Sequence, residues 1–570
     1  LAPLARPRVV ARPSPFQFRG QTVDIRDVGE QLNVANILEG SVQAAGNKIR
    51  VTAQLIQAET GYHLWSGNFD RELNDVFAIQ DEIAEKVVAA LQVSLGDDDA
   101  ARLARRDTDN VDAFREYSLA LREMDDYNFE SLDRAVVHLD RAIELDASYA
   151  LAWAMKGLAQ RHMMFVGSRT FEQYELETRA AATRALEIDP ELPLAMALIA
   201  ELDYEDRKHD SALGLIRRAV ALAPNDANVI GIYASILVDD LRPFEAADAR
   251  LLALELDPLS IPLHQVAAGS LGRLGRIDEA LAIGERMRTL NPDAPAGYWV
   301  TSYTHSNVGN WAQAVLLMVK AAELDPNDPI GPLDVAWYYL ALGLEQEAQA
   351  WLEKSRSVNP EHPAALASLL VLGAGEPELS EATVRTARRL LIKRAASQNS
   401  ARGLAYGVLL REAWETGYYD EYLAWARHFA PELFDPAVDN VDDYGSGAGA
   451  LGQTMILAGQ EEQGRRLIDL AWQRVEALDA ALKRTPDFNS FSLAAITGDR
   501  DKALAVLRGL ADTTHSDHAG ELWVTRHGPW IKPYHDEPEY QAFVDRLEQL
   551  AAEQRALLLE LSGGAYPLPK

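Results

Sequence analysis

In 570 residues, 55 lysines and arginines face 86 aspartates and glutamates, a net charge of −31 that simply keeps a large protein soluble. It also argues against nucleic acid or an anionic membrane as partner, since both reward basic side chains. The chain has no cysteine, which removes disulfides, thiol nucleophiles and thiolate metal sites. No run approaches the roughly 18 apolar residues that span a bilayer, so no direct membrane insertion is expected.

The chain opens Leu1-Ala2-Pro3 without the apolar core of a signal peptide, and it reads as a piece of something longer or a processed form. Val23 to Leu32 reads as a helix. Val34 to Ala45 and Lys48 to Ala58 read as two strands around Gly46-Asn47, a pair suited to positive φ. Ile49, Val51, Ala53 and Leu55 alternate with Arg50, Thr52 and Gln54, the pattern of a half-buried strand. Glu59-Thr60-Gly61 turns the chain into a third strand, Tyr62 to Phe69. A helix follows from Asp75 to Leu95, with Asp75 as cap and Val76, Ile79, Ile83, Val87 and Leu91 on one face.

Several motifs of this segment occur in a familiar order. They are Val9-Val10-Ala11-Arg12, Phe16-Gln17-Phe18-Arg19-Gly20, Val28-Gly29-Glu30-Gln31-Leu32 and Leu38-Glu39-Gly40-Ser41-Val42. Val51-Thr52-Ala53-Gln54-Leu55-Ile56, Gly61-Tyr62-His63-Leu64-Trp65-Ser66 and Phe77-Ala78-Ile79-Gln80-Asp81-Glu82-Ile83 follow. Together residues 5–95 resemble the TolB-like amino-terminal domain that precedes tetratricopeptide arrays in many bacterial signalling proteins. The resemblance implies a neighbouring membrane helix, and a class III nucleotide cyclase or winged-helix regulator beyond it. It also implies a periplasmic or extracytoplasmic location, the alternative being the cytoplasm. The family's opening strand and first helix have no counterpart here, so the exposed strand edge is expected to be completed by another chain.

From about Asp112 the pattern is helical throughout. Asp112 to Asp146 reads as a first hairpin with Ala135 and Ala142 as its small residues, and the unit after it is 43 residues long, with the surplus near Val166 to Tyr174. Then Pro190, Pro224, Pro258, Pro292, Pro326 and Pro360 stand 34 residues apart. Twelve residues before the last five prolines stands Ala212, Ala246, Ala280, Ala314 or Ala348; twenty-four before stands Ala200, Ala234, Ala268, Ser302 or Ala336. Small residues at two fixed points let paired helices approach closely, and proline ends the second helix. The period is that of the tetratricopeptide repeat. One further unit keeps Ala382. Ala401 to Ala430, Gly449 to Ala477 and Ser490 to Ala511 read as further hairpins, and a helix from Pro538 to Leu559 as an end cap.

The expected fold is therefore mainly α, a right-handed tetratricopeptide solenoid of roughly eleven hairpins behind a small α/β domain. The boundaries read 1–96 for the TolB-like domain, 97–395 for the regular array and 396–570 for degenerate hairpins with their cap.

Resemblance to the tetratricopeptide family places groove-facing positions 27 and 23 residues before each closing proline. These are Trp299 and Tyr303 in one unit, Leu333 and Trp337 in the next. The co-chaperone type clamps a terminal carboxylate with lysine, arginine and asparagine there. Here the equivalents Ala197, Glu201, Gly231, Ser235, Gln265 and Gly269 lack that clamp. The aromatic positions suggest an apolar or extended peptide partner; the alternative is that these rings pack between units.

His515, His518, His527 and His535 crowd one stretch near Asp517 and Glu521, without helical ligand spacing, and read as a polar loop more than a zinc site. Gly445, Gly447, Gly449 and Gly452 imitate a phosphate loop, but no strand precedes them and Asp439 to Asp443 would repel phosphate, so a flexible connector is expected. Nothing nominates a catalyst or a cofactor. A non-catalytic scaffold for protein partners is the leading reading. The regulatory half of a nucleotide cyclase or winged-helix regulator is the alternative, and a small-molecule binder a more distant one.

Overall fold

The computed structural model describes residues 9–10, 18, 23–45, 48–72, 76–91, 107–125, 129–165, 171–290, 292–360, 362–374, 379–392, 399–439, 441, 445–483, 486–511 and 530–569. The chain divides into two compact units, Leu1–Asp240 with Glu245–Ala267, and Leu241–Phe244 with Ala268–Lys570.

The first unit opens with helix α1 (Ile25–Leu32). Asp24 caps it by accepting from the Arg26 amide at 2.9 Å, and Asn33 ends it in the left-handed region. Strands β1 (Asn36–Ala45), β2 (Lys48–Gln57) and β3 (His63–Glu72) form an antiparallel meander in that order. The alternation read in β2 is realised, since Ile49 and Ala53 pack with Phe69 beneath Ile79 of α2 (Val76–Ala90). Leu38 and Val42 of β1, paired with Leu55 and Val51, stay exposed, and the outer edge of β1 carries no strand among the described residues. The Gly46-Asn47 turn and the Asp75 cap lie outside the described residues.

Helical pairs follow. The first are α3 (Val111–Asp125) with α4 (Phe129–Leu145), α5 (Ala150–Phe165) with α6 (Phe171–Ile188), and α7 (Pro193–Glu205) with α8 (His209–Leu222). Next come α9 (Ala227–Asp239) with α10 (Pro243–Leu256), α11 (Ile261–Arg273) with α12 (Ile277–Leu290), and α13 (Pro295–Asn307) with α14 (Trp311–Leu324). Then follow α15 (Ile330–Ala341) with α16 (Glu345–Val358), α17 (Pro363–Ala374) with α18 (Glu381–Ile392), and α19 (Asn399–Thr416) with α20 (Asp420–Phe429). The last are α21 (Gly445–Leu457) with α22 (Glu461–Leu482) and α23 (Phe488–Thr497) with α24 (Arg500–Ala511).

The 34-residue beat is kept to the residue. From α6 to α16 each second helix ends two positions before its proline, at Ile188, Leu222, Leu256, Leu290, Leu324 and Val358. The small residues of both series are almost completely buried, from Ala200 and Ala212 to Ala336 and Ala348. Where serine replaces alanine, its hydroxyl is satisfied inside the pair, Ser302 Oγ donating to the Ala314 carbonyl at 2.7 Å.

A second beat accompanies the first. Arg207, Leu241, Gly275, Gly309 and Gly343, at the turn inside successive pairs, all have φ between 55° and 77°. The residue after such a glycine donates back to the preceding helix, as Arg276 does to the Leu271 carbonyl and Leu344 to that of Tyr339, both at 2.9 Å. The turn persists at Gly417, Gly459 and Gly498, after the prolines have lost their register.

Two expectations are corrected here. Ala382 faces outward, and the close contact in its pair is made instead by Gly373, where an added Cβ would meet Thr383 Oγ1 at 2.1 Å. The register therefore dissolves one unit earlier than expected. The glycines from Gly445 to Gly452 are not a connector, because they belong to helix α21. Gly452 lies against Gly464 of α22 so closely that a Cβ on it would meet the Gly464 carbonyl oxygen at 2.6 Å.

The expected end helix is α25 (Pro538–Leu561). It packs against α24 and also reaches back to α14, within the second unit. Gln554 accepts from the Ala312 amide at 3.1 Å, and Arg555 donates to the Leu342 carbonyl at 2.6 Å. Beyond the helix, the Pro567 carbonyl accepts from the Tyr339 hydroxyl at 2.7 Å and from the Trp351 indole at 3.0 Å.

Candidate functional site

The four expected groove residues all lie on α13 and α15 of the second unit. Trp299 and Tyr303 are one helical turn apart, so their rings fall on one face. They stack nearly parallel, with centroids 5.7 Å apart and planes 7° apart. Tyr303 is 46% exposed and Trp299 partly buried. On α15, Leu333 is buried in the core between pairs, and Trp337 is a partly buried ring at the edge of that core. Burial thus grades from Leu333, which packs, to Tyr303, which faces water.

One member of this surface carries no sequence signal. Asp334 stands beside Leu333 and one turn before Trp337, and Trp299 Nε1 donates to its Oδ2 at 3.3 Å. The carboxylate has no cationic partner among the described residues. Burial pushes it up to about 7; the Trp299 hydrogen bond opposes that, and the neighbouring Asp328 charge adds to it. Tyr338 on the same helix is buried, and its hydroxyl is likewise pushed up by burial and then by Asp334. On α12, Arg288 lies 5.7 Å over the Tyr298 ring and is paired with Glu285.

The corresponding face of the first unit is chemically different. Glu201, one of the expected groove positions, is held by Arg161 through two hydrogen bonds of 2.7 Å each, and Tyr174 adds a third at 3.0 Å. Arg161 also donates to Ser235 Oγ, another groove position, at 3.3 Å. The two charged side chains are each 11% exposed. This polar ladder across α5, α7 and α9 is satisfied internally and offers little to a ligand.

Of the four clustered histidines, His515, His518 and His527 lie outside the described residues. His535 stacks on Tyr540 with centroids 5.1 Å apart. Among the described residues, no helix is long and apolar enough to cross a membrane.

No family model matches the chain. Putative adenylate cyclase 3 of Rhizobium meliloti (strain 1021) is 39% identical over 146 residues, which is 26% of this chain and 25% of that protein. The chain therefore spans about a quarter of the length of this curated relative. Among solved structures, PilF of Pseudomonas aeruginosa is 17% identical, covering 39% of this chain and 96% of its own, with a TM-score of 0.29. PilW, a type IV pilus biogenesis factor, is 21% identical, covering 38% and 98% with a TM-score of 0.31. A tetratricopeptide repeat protein from Parabacteroides merdae is 14% identical, covering 45% and 99% with a TM-score of 0.32.

Proposed function

We propose that the protein is a non-catalytic scaffold that binds a protein partner along the helical pairs, with Trp299, Tyr303 and Trp337 as contacts and Leu333 as their support. The observation that carries this reading is the stacked Trp299–Tyr303 pair, in which Trp299 rests against the core and Tyr303 stands exposed. Aromatic rings that are ordered before binding lose little entropy when a partner docks. In each unit the pairs are taken to wind right-handed, and the amino-terminal module to be TolB-like. Placement on the extracytoplasmic side of a bacterial membrane belongs to the same proposal, and alkaline phosphatase fusions in the native cell would test it.

The test of the groove is affinity capture from the native cell. Trp299→Ala with Trp337→Ala should abolish recovery of the partner and leave the far-ultraviolet circular dichroism unchanged. Loss of the helical signal would assign the rings to packing instead.

A second reading has its own support: the likeness to putative adenylate cyclase 3 favours a regulatory region of a nucleotide cyclase. Cyclic nucleotide formation by the native gene product, compared with one lacking this region, separates the two. Equal activity in both would remove the cyclase reading.

A further inference from the structure

The aromatic surface on α13 and α15 combines features that an apolar peptide would not need. Trp299 and Tyr303 present stacked rings, and Asp334 sets a carboxylate against the edge of the Trp299 indole. In the first unit a carboxylate at another groove position, Glu201, which corresponds to Tyr303 and Trp337 in the repeat, is neutralised by Arg161. Among the described residues Asp334 has only one long hydrogen bond, from a neutral indole, and a partly buried carboxylate in that condition is a standing cost to the fold. Replacing it with a neutral residue of the same size would relieve that cost. Its presence beside the stacked rings is what a binding site for a cation requires, because ring faces and a carboxylate attract the same charge.

We propose that Trp299, Tyr303 and Asp334 form a subsite for a cationic side chain, an arginine or lysine, presented by the protein partner. This rests on the scaffold reading above and adds the chemistry of what is recognised. The charge of the whole chain, −31, favours approach of a basic segment. Arg288 does not compete for the site, since Glu285 and the Tyr298 ring hold it. The titratable groups facing Asp334 are Asp328 from the turn before α15, the Tyr338 hydroxyl and, through Tyr338, the Tyr303 hydroxyl. His362 acts only indirectly, through Asp328. None of these is a cation that would already fill the site.

The experiment uses the full chain labelled with 5-fluorotryptophan, in which the Trp299 resonance is recognised by its loss in Trp299→Phe. Nα-acetyl-arginine methylamide should move this resonance saturably, and the isosteric neutral citrulline analogue should bind roughly tenfold more weakly. Asp334→Asn should weaken the arginine probe by roughly the same factor, while Asp334→Glu, which keeps the charge, should retain the preference. In the wild type, binding of the arginine probe should strengthen from pH 6 to pH 8, and in Asp334→Asn it should not.

Equal binding of the arginine and citrulline probes would overturn the cationic subsite. So would full arginine affinity in a folded Asp334→Asn variant, or no response to the arginine probe. The scaffold reading is judged separately, since it fails if a folded Trp299→Ala with Trp337→Ala variant still captures the partner.

Discussion

Leu241 stands 34 residues before Gly275 and shares its left-handed backbone, with φ of 55° against 73°. Arg207, one unit earlier, does the same at 62°. A side chain there crowds its own carbonyl and costs about 1–2 kcal/mol, which glycine avoids.

Arg207→Gly is therefore expected to stabilise the protein by about 0.5–1 kcal/mol, since the side chain is exposed. Leu241→Gly should gain less, because Leu241 is partly buried. Urea midpoints of the two variants check this, and a destabilised Arg207→Gly would contradict it.

The same positions show how much of the fold was legible. The prolines announce the beat only as far as Pro360, because proline merely ends a helix and many other residues can do so. The left-handed turn inside each pair is more demanding, and glycine continues to mark it at Gly417, Gly459 and Gly498. The later pairs could have been phased on those glycines. Asp334 left no trace because a short carboxylate between Leu333 and Trp337 has no periodicity. Arg161 was missed because it belongs to the stretched 43-residue unit, where counting back from Pro190 fails.

Arg161 and Glu201 form a nearly buried bidentate pair. Glu201→Ala removes the carboxylate that neutralises the guanidinium and should cost about 3 kcal/mol. The double change Arg161→Met with Glu201→Leu should recover most of that. Chemical denaturation of the three variants decides; equal stability of the single variant and the wild type would show that the pair is dispensable.

Gly452 and Gly447 lie in one helix and should respond oppositely. Gly452→Ala would drive a methyl group into the Gly464 carbonyl and force α21 and α22 apart, at about 2 kcal/mol. Gly447→Ala meets nothing within 4 Å and should gain about 0.5 kcal/mol from helix propensity. Thermal melting points of opposite sign are the expected result.

Asp334 predicts a pH signature. Its native pKa, about 7, lies above the roughly 3.9 of an unfolded chain, so folding favours the protonated form. That advantage is complete below the unfolded value and is lost as pH rises through the native one. Asp334→Asn escapes the loss, so its stability relative to wild type should grow from pH 5 to pH 8 by on the order of 2 kcal/mol. Melting curves at the two pH values test it, and a constant difference would show that the carboxyl is not perturbed.

The return of α25 and the segment after it sets the second unit apart from an ordinary stack. Repeats that lean only on their neighbours fray from the ends and can mature in order as they leave the ribosome. Here Ala312, Tyr339, Leu342 and Trp351 take partners 213 to 242 positions downstream. Such distant closure slows folding. It also means that the middle of the unit, its aromatic surface included, reaches its finished form only after α25 and the segment up to Pro567 have been synthesised.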